Sequence, residues 1–185
     1  MNKIMFDDKY GLTKAVLEGR KTMTRRIAEK VLVEDIDQHL VWTGEFKKPK
    51  YKVGETVAVA QSLRDMGYDP RDTRHKSGAI WGLDHTPAWT NKMFVSASEC
   101  IHQIRITNVR VERMQDISDE DCIREGILED CPGVQYSFPT EIGYCGQYPF
   151  STPREAFAAL IDKVSGKGTW ASNPWVFVYE FELVK

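Results

Sequence analysis

Apolar positions recur along this chain in two periods, and the switches between them mark its elements. From Asp8 to Glu18 the residues Leu12, Ala15 and Val16 share one face of a 3.6-residue repeat, with an aspartate near the start and Gly19 beyond the end. That pattern predicts a first helix closed by a left-handed glycine. Val53-Gly54-Glu55 reads as a turn into the short apolar strand Thr56-Val57-Ala58-Val59-Ala60. From Ser62 to Asn91 no period is sustained, which predicts a long loop or insertion of the kind that often carries function. The run Ile101 to Met114 alternates as a strand does, but Ile104 and Ile106 occupy even positions while Val109 and Val111 occupy odd ones. A one-residue slip exchanges the two faces of a strand, so the change of parity predicts a bulge or bend near Thr107-Asn108, as in a small curved barrel.

Ser118 is placed to cap a short helix through Asp119 to Glu125, closed by Gly126. Glu129 to Ser151, rich in Gly, Pro and Tyr, reads as a second long loop. Thr152-Pro153-Arg154-Glu155 is a capping box with proline at the first helical position, and Phe157, Leu160, Ile161 and Val164 form the apolar stripe of the helix it opens, a core-packing face rather than a cofactor contact. The chain closes on Trp175-Val176-Phe177-Val178-Tyr179-Glu180-Phe181-Glu182-Leu183, a strand with an alternating aromatic face. These elements amount to one mixed α and β domain over residues 1–185.

Composition narrows the partners. With 185 residues, 42% of them hydrophobic, the chain suits one globular domain. A net charge of -2 argues against a generally basic protein, so any binding of nucleic acid has to come from a local patch. No apolar run approaches the ~20 residues of a membrane span and Met1 to Asp8 lacks the apolar core of a signal peptide, which predicts a cytoplasmic protein that does not engage membranes. Cys100, Cys122, Cys131 and Cys145 form no Cys-x-x-Cys pair and read as reduced thiols. A composite metal site from Cys131, Cys145, His75 and His85 lacks ligand spacing; His39 and His102 read as a surface and a strand histidine, and neither metal nor cofactor is expected.

The local patch is Gly19-Arg20-Lys21-Thr22-Met23-Thr24-Arg25-Arg26, four cations and two hydroxyls in eight residues at a helix end. Such residues can merely complement the helix dipole and stay solvated. They also suit an anionic partner, and an amine beside a hydroxyl can activate it as a nucleophile once the amine loses its proton. On a regular strand Lys21 and Thr24 would point to opposite faces, so joint action requires a turn, which Gly19 can supply.

Five ordered blocks resemble the ASCH domains, relatives of the PUA RNA-binding fold, and especially their longer phage and prophage forms. The blocks are Leu17 to Arg26, Tyr51-Lys52-Val53-Gly54-Glu55, Val109 to Ser118, Glu125-Gly126-Ile127 and Asn173-Pro174-Trp175-Val176, and they span nearly the whole chain. The resemblance implies an α+β fold: a small twisted PUA-like β-barrel of about five or six strands with flanking helices and two long loop insertions, 62–91 and 129–151. It further implies an RNA or nucleotide ligand in a cleft formed by Gly19, Arg20, Lys21, Thr22, Arg25, Arg26 and Gln61. Small bacterial members deacetylate acetylcytidine with a lysine, a threonine and a glutamate, which match Lys21, Thr24 and Glu125 here, and another member is a ribonuclease.

In that scheme Lys21, its pKa lowered by Arg20, Arg25 and Arg26, is the base; Thr24 is the nucleophile; Glu125 protonates the leaving amine; and Arg20 or the backbone steadies the oxyanion. Lys21→Ala is expected to leave the fold intact, as for a lysine in a polar cleft. Trp170 and Trp175 read as barrel-edge core rather than base-stacking platforms. One departure stands out. Where many long members carry a glutamate after the Val-rich strand, this chain has Gln61, which cannot titrate, so binding of RNA or a nucleotide is the main expectation and hydrolysis, of acetylcytidine or of RNA, the alternative.

Overall fold

The computed structural model describes residues 1–34, 40–75, 80–131, 135–140, 143–144 and 150–184. In chain order its elements are β1 (Lys3–Ile4), α1 (Leu12–Leu17), β2 (Met23–Ile27), β3 (Lys30–Glu34), β4 (Leu40–Phe46), β5 (Thr56–Val59), β6 (Gln103–Arg113), α2 (Asp119–Arg124), β7 (Leu128–Cys131), β8 (Gln135–Ser137), β9 (Pro139–Thr140), β10 (Gly143–Tyr144), α3 (Pro153–Ser165), α4 (Thr169–Ser172) and β11 (Trp175–Val184). The fold is α+β. Five strands in the order β1-β5-β6-β11-β2 make one mixed sheet, parallel only between β1 and β5. Among the described residues its edge strands β1 and β2 do not pair with each other; the Arg26 guanidinium reaches across and donates to the Met5 carbonyl at 2.6 Å.

The long β6–β11 ladder is its spine. Asn108 pairs with Glu180 and Ile106 with Phe181, so Thr107 is the extra residue that changes the strand's parity. The bulge lies where the alternation of apolar residues breaks. Ile104, Ile106, Met23, Tyr179 and Phe181 then fall within one core with Phe157 and Leu160 of α3. Burying side chains of this size contributes ~1.5–3 kcal/mol each.

Helix ends follow the cap chemistry. Ser118 Oγ accepts from Asp121 N, and Thr152 Oγ1 accepts from Glu155 N at 3.1 Å, although the Glu155 carboxylate returns to Ser151 N rather than to Thr152. The first helix is shorter than its apolar pattern predicts: Gly11, at φ 63, closes a turn on Asp7 and Asp8, and α1 begins only at Leu12. β3 and β4 pair antiparallel in a stretch for which the sequence predicts no element.

The described part of 62–91 contains two short 3₁₀ turns, Leu83–His85 and Pro87–Trp89, and its Leu63, Leu83 and Ala88 join Val95 and Cys100 in a second small core, connected to the sheet through Ala58. The predicted loop 129–151 carries β7 to β10 where it is described; His39 and Cys145 lie outside the described residues. No helix among the described residues is long and apolar enough to cross a membrane.

Candidate active site

The basic segment is shaped by the end of α1. Gly19 sits at φ 72, and the amides of both Arg20 and Lys21 donate to the Ala15 carbonyl at 2.9 Å, wrapping the chain back over the helix. Lys21 therefore lies in the turn, with β2 beginning at Met23, and strand alternation does not separate it from Thr24. Glu125 approaches from the other side as the C-cap residue of α2, with Gly126 at φ 106 behind it, a conformation that favours glycine. The Lys21 ammonium donates to Glu125 twice, to Oε2 at 2.5 Å and to the backbone carbonyl at 2.7 Å.

Lys21, Thr24, Arg25 and Glu125 line one pocket of about 340 Å³. Leu12 and the α3 side chains Phe157, Leu160 and Ile161 give it an apolar wall, and Asp7 and Arg26 also border it. The α3 stripe is thus both core and pocket lining, a double role that its helical spacing alone does not reveal. Thr24 is 5% exposed, and its hydroxyl makes no hydrogen bond among the described residues. A pocket with an aromatic side, a buried threonine hydroxyl without a hydrogen-bond partner among the described residues and a buried amine–carboxylate pair can accept a flat heterocycle and act on a group attached to it.

Electrostatics sort the two cations on Glu125. Lys21 is 2% exposed, and burial pulls its pKa below the ordinary lysine value; Glu125 opposes this, while Arg26 and Arg25 add to it. Arg25 is shifted the other way. Desolvation works against its charge, but Glu125 at 3.0 Å, Glu112 at 2.6 Å and Asp121 at 3.0 Å outweigh that and raise its pKa. Of the two, Lys21 is the one whose proton is the easier to remove. Arg25 belongs to a wider lattice on its side of the sheet: Arg110 bridges Glu112, Asp121 and Glu180, and Arg124 reaches Asp121 and Glu180. Glu112, Asp121, Arg110, Arg124 and Glu180 escape the sequence reading, because strand register rather than chain proximity brings them together.

Other predicted site residues lie elsewhere. Arg20 pairs with Glu18 at 2.6 Å, does not line the pocket, and is not among the groups that shift Lys21; the expected share of Arg20 in lowering the lysine pKa, and its oxyanion role, find no geometric support. Thr22 is held on the far side by Arg124, its amide donating to the Arg124 carbonyl and its hydroxyl accepting from Arg124 Nε. Arg26 borders the pocket and also a second, adjoining one. Gln61 is buried outside both, its Oε1 2.6 Å from His102 Nδ1, so His102 is a partner of Gln61.

Trp170 packs edge-on against Phe157, and Trp175 lies beneath the Arg113 guanidinium, both as partly buried core side chains. His75 sits 3.3 Å from Glu99 and His85 beside Asp84, and among the described residues no cluster of His, Cys, Asp or Glu could hold a metal ion. No family model, curated protein or solved structure matches the chain.

Proposed function

We propose that the Lys21–Thr24–Glu125 pocket binds the base of a nucleoside or RNA nucleotide and hydrolyses an amide on it, acetylated cytidine being the substrate that the resemblance to ASCH domains implies. What carries the reading is the convergence, around one cavity of about 340 Å³, of a lysine whose pKa burial lowers, a threonine hydroxyl with no hydrogen-bond partner among the described residues and a carboxylate bonded to the lysine. Neutral Lys21 accepts the Thr24 proton as Oγ1 attacks the acetyl carbonyl carbon. Because Lys21 and Glu125 share a hydrogen bond, the pair holds that proton and returns it to the exocyclic nitrogen as the C–N bond breaks. Water then hydrolyses the threonyl ester and regenerates the hydroxyl. Arg25 stays on Oε1 throughout, so Glu125 keeps one cationic partner when Lys21 is neutral.

On the same reading the five-stranded sheet is an incompletely closed PUA-like barrel, with Arg26 spanning the gap between its edges. Binding without turnover is the second reading. It is favoured by the 2.5 Å Lys21–Glu125 contact, which holds the lysine proton in place, and it recasts the site as a base-binding module. Loss of acetylcytidine absorbance measured with the wild type, Thr24→Val and Lys21→Met separates the two. Turnover by the wild type alone is expected. A silent wild type, or turnover that survives in Thr24→Val, overturns the hydrolase.

A further inference from the structure

A second pocket, about 370 Å³, adjoins the first and shares Met5, Arg26 and Ile27 with it. Its lining holds five cationic residues and one carboxylate, Glu29, in a chain whose net charge is -2. Two of the cations are already committed. Lys3 Nζ donates to the carbonyls of Lys92, Met93 and Val95, and Lys47 pairs with Glu29 at 2.6 Å. The other three are differently placed. Among the described residues Lys48 has no side-chain partner and the Lys50 ammonium meets only the Tyr51 ring, at 5.3 Å, while Arg26 spends Nη2 on the Met5 carbonyl at the boundary between the pockets. Strand register puts Arg26 opposite Phe177 and Thr24 opposite Tyr179, so this aromatic-floored pocket and the threonine hydroxyl share one face of the sheet.

Unpaired ammonium groups gathered beside a base-sized cavity favour an anion joined to whatever occupies that cavity. We infer that Arg26, Lys48 and Lys50 form a phosphate subsite, so that the ligand is a nucleotide, with its base in the Lys21–Thr24–Glu125 pocket and its phosphate in the adjoining one. The inference rests on the reading of the first pocket as a base site. A free mononucleotide and a residue within a single strand present the same phosphate chemistry.

Calorimetric titration of the full chain with cytidine, cytidine 5′-monophosphate and a short single-stranded oligocytidylate, across a salt series, tests it. The monophosphate should bind about tenfold tighter than cytidine, the scale of one charge-assisted contact. That preference should vanish in Lys48→Ala/Lys50→Ala, whose exposed side chains leave the fold intact, as a melting curve checks. A strand bound tighter still, with a salt slope of ~0.7 per phosphate contact, identifies a polynucleotide; equal affinity for strand and monophosphate identifies the free nucleotide. Equal affinity for cytidine and its monophosphate, or a preference that survives in the double variant, overturns the subsite. Acetylcytidine hydrolysis without a phosphate preference would sink this inference and leave the hydrolase standing; a phosphate preference without hydrolysis would do the reverse.

Discussion

Glu125→Gln is the sharpest probe of the buried charges. In the native protein its Oε2 accepts from Lys21 at 2.5 Å and its Oε1 from Arg25 at 3.0 Å, and the two cationic side chains are 2% and 1% exposed. Glutamine supplies one acceptor and one donor, so at least one buried cation then faces an amide hydrogen. Removing one member of a buried ion pair costs ~3–5 kcal/mol, a large share of a stability of ~5–15 kcal/mol. Arg25 retains Glu112 and Asp121, and the loss therefore falls on Lys21, which can escape it by shedding its proton.

The sign follows from linkage. Burial has already lowered the folded pKa of Lys21, and loss of Glu125 removes the main group opposing that shift while Arg25 and Arg26 continue to add to it. The unfolded chain, with its lysine near ~10.4, binds more protons than the folded variant, so stability rises with pH between the variant's folded pKa and the unfolded value. Urea unfolding of wild type and Glu125→Gln between pH 7 and 9 should show a deficit of ~3–5 kcal/mol at the acid end. It should shrink by up to ~1.4 kcal/mol per pH unit once the variant's lysine is neutral and the wild type's is still charged. A second substitution, Lys21→Met, should cost less in the variant than in the wild type, with a coupling of ~0.5–3 kcal/mol. A deficit independent of pH, or additive single costs, would show that Lys21 and Glu125 do not share a charge.

Three further outcomes follow from other residues. Thr24→Val should change the melting temperature little, because the hydroxyl it removes has no partner among the described residues, and it should abolish any acetylcytidine turnover; a strongly destabilised variant would mean that the hydroxyl is structural. Burial pushes the Cys122 thiol up to about 12, so a disulfide reagent at pH 8 should label it only on unfolding, and rapid labelling of the native chain would contradict its burial. Thr152→Ala removes the cap of α3 and should cost ~1 kcal/mol in thermal unfolding, with Thr152→Ser retaining most of it.

Much of this architecture can be read from local chemistry. Ser118, Gly126 and the Thr152 cap fix the ends of α2 and α3, and parity alone locates the Thr107 bulge, because caps and alternation are short-range rules. The nearness of Lys21 to Thr24 is legible for the same reason, through Gly19. Glu125 is an ordinary last-turn glutamate in isolation, and only similarity to other sequences singles it out. What stays illegible is long-range. Glu112 and Arg110 read as polar members of a strand until β6 is laid between β5 and β11, and Lys48 and Lys50 carry no signal of their own until Arg26 and Tyr51 are folded against them. Lys21→Ala illustrates the difference: a cleft lysine is expendable to the fold, but one that is 2% exposed and bonded to a buried carboxylate is not.

The unpaired Thr107 has a consequence of its own. Downstream of it, Val109 and Val111 line up with Tyr179 and Phe177, while Arg110 and Glu112 fall on the side of Arg25. Its side chain is exposed and contributes no chemistry; what it contributes is length. Almost any amino acid could stand there, yet the position could not be left out, since deletion would turn the Arg110 guanidinium onto the face of Val109 and Tyr179 and strip Arg25 of Glu112. In this strand the spacing between residues carries information in its own right, and a change of one in the count does more damage than most changes of identity.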